Sequence, residues 1–184
     1  MSKLKDKLYE KIEAHRPRTQ KLLKQYGDVV VDKVTISQVI GGMRGIKCLV
    51  TDISYLDPNE GIRYRGLTLP EVFEKLPKGP NSEMPYVEGL LYLLYTGDIP
   101  TESEVADVVD ELAKRRILPR YVYEILDAFP SVSHPMAMFS SAILAMQRES
   151  FFFFFYNPGM NKFYYWEPMY EDSLYRIAKL PEIA

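Results

Sequence analysis

The chain has 184 residues, 47% of them apolar and 26% charged, which is enough to bury a core as one domain or one domain plus an arm. The net charge of −2 offers no electrostatic case for nucleic acid, and no apolar run is long enough to span a bilayer. The single cysteine, Cys48, has no internal partner for a disulfide, which fits a reducing compartment and a cytoplasmic location.

Residues 1–25 are rich in Lys and Arg, as a transit peptide is, but Asp6, Glu10 and Glu13 argue against one and Ser2 is its only serine. Leu4, Leu8 and Ile12 recur at i, i+4, i+8 and predict a short amphipathic helix over 3–14, with its lysines on a solvated face. Pro17 is expected to interrupt it, and Leu22 and Leu23 suggest a further turn or two before Gly27. Residues 1–27 are therefore expected to form a helical arm. Val29 to Val31 and Val34 to Ile40 read as short strands.

Gly41-Gly42-Met43-Arg44-Gly45 places one arginine among three glycines, a backbone that can turn tightly and lie close to another group. On spacing alone this is a tight turn with a solvated cation. Residues 49–57 then read as a strand, Pro58-Asn59-Glu60-Gly61 as a turn with Asp57 as its local acceptor, and residues 62–66 as a second strand. Ile62 and Tyr64 alternate with Arg63 and Arg65, so one face is expected to be apolar and the other cationic. Strands, glycine loop and hairpin together make a second segment, 28–66.

The remaining residues, 67–184, read as helical. Thr68 and Glu71 have capping-box spacing, with Pro70 in the first turn of a helix ending near Leu76-Pro77. Residues 78–85 form a surface loop. Tyr86 to Tyr95 is an apolar helix closed by Gly97. Thr101 and Glu104 form a second capping box, ahead of a stripe of Val105, Val108, Val109 and Leu112 and of Lys114, Arg115 and Arg116 in the last turn. Pro119 separates it from a short helix marked by Val122, Ile125, Leu126 and Phe129, which Pro130 stops. Ser133 is expected to cap a helix running to about Arg148, whose small residues allow close approach of another helix. Phe151 to Phe155 presents rings in every direction, so some must be exposed unless a partner covers them. Asn157-Pro158-Gly159 is a turn. A last helix covers Glu167 to Leu180 with Pro168 in its first turn, and Pro181 is expected to kink it. The chain stops at Ala184 without cap or charged tail, which reads as an interrupted helix.

Gly42-Met43-Arg44-Gly45, the run Leu56-Asp57-Pro58-Asn59-Glu60-Gly61-Ile62-Arg63-Tyr64-Arg65-Gly66, and Ser133-His134-Pro135-Met136 resemble citrate synthase in the form found in mitochondria and some bacteria. The resemblance runs from about Lys11 to the last residue. It implies a mainly α fold, a fragment of the helical large domain with a short N-terminal β-hairpin. It implies an acyltransferase of the tricarboxylic acid cycle, condensing acetyl-CoA with oxaloacetate and hydrolysing the product to citrate and CoA. A propionyl-CoA-using 2-methylcitrate synthase fits the same words, and a mitochondrial matrix location is the alternative to the cytoplasm. The family has no permanently bound cofactor; CoA and acetyl-CoA are substrates. The implied partner is a second copy, paired through the 134–148 and 167–184 helices, with no nucleic acid and no membrane. At Phe151–Phe155 the family usually carries mixed small and polar residues.

The implied chemistry needs a base to take the acetyl methyl proton and a donor to hold the enolate oxygen. In the family these groups come from later sequence, in Gly-Pro-Leu-His-Gly and His-x-x-His-Glu-Gly-Gly words. Neither occurs here, and the only histidines are His15 and His134. No catalytic residue is therefore assigned, and the isolated chain is expected to be inactive. No spacing suits a metal or a phosphate loop. A non-catalytic helical interaction module derived from the family is the alternative reading. His134, at a helix start, is either a neutral hydrogen-bonding group near a ligand or a structural cap. Two roles are implied by the resemblance, both toward CoA: Arg44, matching the arginine of the Gly-Met-Arg-Gly word, and Lys162, the nearest match to a basic residue preceding the Tyr-Trp-Glu word.

Overall fold

The computed structural model describes residues 2–46 and 49–184, so Cys48 and the Lys47 end of the glycine loop lie outside the described residues. The chain divides into two compact units, 1–105 and 106–184. The architecture is mainly α with one small antiparallel sheet.

The first unit opens with α1, Lys3–Tyr26, capped by the Ser2 hydroxyl, which accepts from the Lys5 amide. Leu4 is fully buried, and Lys3 and Lys11 reach Ser103 and Asp98 at 2.6 and 2.7 Å. The expected break at Pro17 is absent. The proline costs one backbone bond, but it faces solvent, so its ring fits without displacing a packed neighbour and the helix continues to Gly27. The two strands expected over Val29–Val31 and Val34–Ile40 are also absent. Residues 29–35 have no regular structure, and Ile36–Ile40 is a short helix, α2. Its cause is a capping box: the Thr35 hydroxyl accepts from Gln38 N, and Gln38 Oε1 accepts from Thr35 N at 3.0 Å. Local bonds satisfy the chain here, whereas a strand needs a ladder partner that β-branched side chains cannot supply.

The hairpin forms as its turn chemistry dictates. Strands β1, Ser54–Asp57, and β2, Gly61–Tyr64, pair antiparallel with Leu56 opposite Ile62, and a third strand, β3, Leu67–Thr68, extends the sheet beside β2. Asp57 Oδ1 accepts from the amides of Asn59 and Glu60 at 2.8 and 3.0 Å, bonds that hold its carboxyl below its usual value. The expected cationic face does not form. Arg65 lies past the end of β2 with φ of 49°, and this left-handed step ends the alternation.

Helix α3, Leu69–Lys75, carries the Thr68–Glu71 box in full. Helix α4, Val87–Thr96, ends at Gly97 in the left-handed conformation. Val72, Leu76 and Leu93 form a core against Tyr64, Leu67 and Leu90. The box at Thr101 starts α5, Glu102–Ala113, and the Tyr92 hydroxyl donates to Glu104 Oε1 at 2.5 Å.

In the second unit α5 ends before Lys114, Arg115 and Arg116, which therefore lie beyond the last turn assigned to them. Arg115 pairs with Glu111 and Glu171 at 2.6 and 2.9 Å. Val109 is exposed, unlike its stripe neighbour Val108. Helix α6, Arg120–Asp127, and helix α7, Pro135–Ala145, pack through Leu118, Val122, Ala142 and Met146. His134, not Ser133, caps α7, and the helix tightens into a 3-10 turn over Met146–Glu149. Helix α8 is the phenylalanine run itself, Phe151–Tyr156, and Lys162–Tyr164 is a second 3-10 turn. Helix α9, Trp166–Ile183, runs through Pro181, which faces solvent. Lys179 is buried on α9; its ammonium donates to the Arg115 carbonyl and lies 3.4 Å from the Tyr175 ring centroid. Burial lowers its pKa.

Candidate functional site

The arginine loop hangs from α2. Gly41 N donates to the Ser37 carbonyl at 2.9 Å and Met43 N to the Gln38 carbonyl at 2.7 Å, which folds the chain back over the helix end. Gly42, Met43 and Gly45 all have positive φ, at 80°, 60° and 73°. Glycine tolerates this conformation, whereas Met43 is strained by it, so the loop has a defined shape and not merely a flexible one. The Gln38 amide completes the hold, donating to the Arg44 carbonyl at 3.4 Å. The Arg44 side chain is exposed, and among the described residues no carboxylate pairs with it. A fork of N–H donors held out on a fixed backbone can meet a phosphate or a carboxylate in two-point geometry.

Lys162 starts the 3-10 turn before α9, with the Asn161 side chain accepting from the Phe163 amide at 2.9 Å. Its ammonium is also exposed and, among the described residues, unpaired. Arg44 belongs to the first unit and Lys162 to the second, and each stands as an open cation in its own unit.

His134 has a local task. Its Nδ1 accepts from the Met136 amide at 3.2 Å, satisfying a free donor at the start of α7. In that bond Nδ1 is the acceptor, which leaves Nε2 to carry the ring's N–H. His15 approaches Thr19 Oγ1 at 3.2 Å and lines a cleft of about 660 Å³ in the first unit, together with Leu8, Ile12, Arg16, Ile53 and Arg65. Three cations of this cleft are engaged, Lys11 with Asp98 at 2.7 Å, Arg16 with Glu13 at 2.6 Å and Arg65 with Asp52 at 2.9 Å, while Arg18 has no carboxylate partner among the described residues. It is a mainly apolar hollow with a partly neutralised rim, and Arg44 is not among its lining residues. Among the described residues no group of three or more His, Cys, Asp or Glu could hold a metal ion.

Residues 42–184 match the sequence model of the family described as "Citrate synthase, C-terminal domain". The chain belongs to the citrate synthase family. Its curated citrate synthase relatives include the mitochondrial enzyme of Aspergillus niger, 48% identical over 181 residues, covering 98% of this chain and 38% of that protein. The mitochondrial enzyme of Xiphias gladius is 49% identical over 181 residues, 98% of this chain and 39% of its own. The probable mitochondrial citrate synthase of Glossina morsitans morsitans is 45% identical over 183 residues, 100% of this chain and 39% of its own. The chain thus spans about two fifths of the length of the relatives it matches.

Arg44, His134 and Lys162 all fall inside the stretch matched to the citrate synthase family, while His15 and the whole of α1 fall outside it. One arginine with a structural role was not legible from spacing. Arg65 turns inward, its Nε and Nη2 donating to the Leu94 carbonyl at 3.2 and 2.6 Å, where α4 leaves carbonyls without amide partners. The available signal was the Arg65-Gly66 pair at the end of a strand, a place where two successive left-handed residues can redirect a side chain.

Proposed function

We propose that this chain is a segment of a citrate synthase that meets coenzyme A, with Arg44 and Lys162 as the cations that receive its phosphates. The observation that carries the reading is the arginine loop: a guanidinium unpaired among the described residues, on a backbone fixed by three positive-φ residues and by Gln38. Lys162 meets a phosphate as a point charge, with less angular demand than Arg44. Neither cation can take a proton from an acetyl methyl group, and His134 is committed to capping α7. The condensation of acetyl-CoA with oxaloacetate therefore depends on acid–base groups supplied from outside these 184 residues, and the isolated chain does not turn over. The relatives are mitochondrial by name, which supports a mitochondrial location over the cytoplasm. Pairing of two copies through α7 and α9 is part of the proposal. It is supported by the exposure of Met136 and Leu144 on a helix whose Ala137 and Ser140 are also uncovered.

A CoA-release assay with acetyl-CoA and oxaloacetate on the purified chain tests the first claim, and clear turnover would overturn it. Arg44→Ala in a full-length family context tests the second. We expect the KM for acetyl-CoA to rise about tenfold or more with kcat little changed, the loss of one charge-assisted contact. An unchanged KM would remove the assigned role.

A further inference from the structure

Among the described residues Lys179 is the only lysine that the fold buries; it is 1% exposed on α9. An ammonium has three donors, and each needs a partner once it leaves water. Here one goes to the Arg115 carbonyl, just beyond the end of α5. The Tyr175 ring, one turn earlier on α9, covers the charge with its centroid 3.4 Å from Nζ. Among the described residues no carboxylate stands within ion-pair distance. The acid that acts on Lys179 is Glu149, on the 3-10 turn after α7, and its Oε2 accepts from the Tyr175 hydroxyl at 3.5 Å. Arg115 faces the ammonium as a second cation, with its own guanidinium taken up by Glu111 and Glu171. Tyr121 of α6 faces Glu149, with Arg148 at 5.1 Å over its ring. Glu182, further along α9, accepts from the Tyr123 hydroxyl of α6 at 2.6 Å, and α7 carries no ionisable side chain.

We infer that Lys179 is a pH-sensitive latch between α9 and the end of α5, seating the helix less firmly while it carries its extra proton and more firmly once that proton has left. The neutral amine keeps a donor for the Arg115 carbonyl and no longer lacks the hydration of an ion; it gives up only the attraction of one ring face. Burial is the larger effect. It lowers the pKa of Lys179 from the ordinary 10.5, opposed by Glu149 and assisted by Arg115. Between the folded-state value and 10.5 the unfolded chain holds a proton that the folded chain has released, so stability rises with pH across that window. The neighbouring phenols act later and in the opposite sense. Burial first of all pushes Tyr175 up to about 12 and raises Tyr121, so what they contribute is lost only above their ordinary 10.0. The seating of α9 also reaches α8: Asp172 on the same helix clamps the start of α8, accepting from Ser150 Oγ at 2.5 Å and from Phe151 N at 2.6 Å.

Lys179→Met keeps the length of the side chain and removes the titrating group. Urea unfolding of the full chain and of this variant, at about pH 8 and about pH 10, reads the latch. Relative to the variant, the unfolding constant of the parent should fall at least about threefold over that interval, within the limit of about tenfold per pH unit that one proton sets. An equal response to pH in the two proteins would overturn the proposal. A second readout does not need the variant to fold. In the parent chain labelled with carbon-13 at lysine Cε, one resonance should titrate below all the others. Glu149→Gln removes the carboxylate that favours the ammonium and should move that midpoint lower still. Lysines that titrate together, or a midpoint that Glu149→Gln raises or leaves in place, would equally overturn it.

Discussion

Arg65 offers a quantitative check on how the first unit is held. Its side chain is only 15% exposed, its Nε and Nη2 both donate to the Leu94 carbonyl, and Nη1 pairs with Asp52 at 2.9 Å. Replacing Arg65 with alanine leaves the end of α4 with a partly buried carbonyl and no donor. A charge-assisted bond of this kind contributes about 2 kcal/mol. The pair with Asp52 adds less than about 1 kcal/mol, because that carboxylate is 73% exposed. Loss of the packed stem adds about another 1 kcal/mol. The expected destabilisation is therefore about 3 kcal/mol, read from urea unfolding followed by far-ultraviolet circular dichroism. The backbone provides an internal control. Arg65 has φ of 49°, so Arg65→Gly loses the same bonds but relieves about 1 kcal/mol of left-handed strain and should fall near 2 kcal/mol. An alanine variant within about 0.5 kcal/mol of the parent, or a glycine variant less stable than the alanine one, would refute this account.

Other consequences are equally direct. The Thr101 amide, and then the Tyr92 hydroxyl, hold the Glu104 carboxyl below its ordinary 4.5. Its contribution is complete above that value and is lost as pH falls through the lower folded-state value. Glu104→Gln should therefore flatten the acid limb of a stability–pH curve below pH 4.5; an unchanged limb would count against it. Asp172→Ala removes the acceptor for two amides and a hydroxyl, so amides 151–156 should exchange markedly faster while those of α6 do not change; equal rates would show that the clamp is idle. Pro17→Ala restores a donor inside a continuous helix and should raise stability by up to about 3 kcal/mol in a thermal melt. A fall in stability would mean the proline is needed where it stands.

What the sequence showed and what it hid divide along a physical line. The boxes at Thr68 and Thr101, the Asp57 turn and the left-handed Gly97 are decided by bonds within four residues, and each formed where its residues stand. The aromatic exposure of Phe151–Phe155 also followed from composition alone, since no helix can hide five consecutive rings. Failures came where two local signals competed. β-Branched content at Val34–Ile40 pointed to a strand, but the Thr35–Gln38 box lay inside the same run and won. Pro17 and Pro181 signalled breaks, yet both face solvent, where a missing bond is tolerated. The capping role of His134 was displaced by one residue because a hydroxyl next door looked the better acceptor. At the candidate site, Arg44 was legible as a lone cation among glycines. The inward turn of Arg65 was not, because it depends on a helix end 29 residues away.

Gln38 does two jobs with one side chain. Its oxygen closes the box that starts α2, and its nitrogen grips the Arg44 carbonyl. The bearing of the guanidinium is thus set six positions upstream, by a residue that carries no charge and need touch no ligand. Drift at position 38 would retune the grip of the loop while leaving the cation itself intact, so a scan confined to basic residues would overlook it.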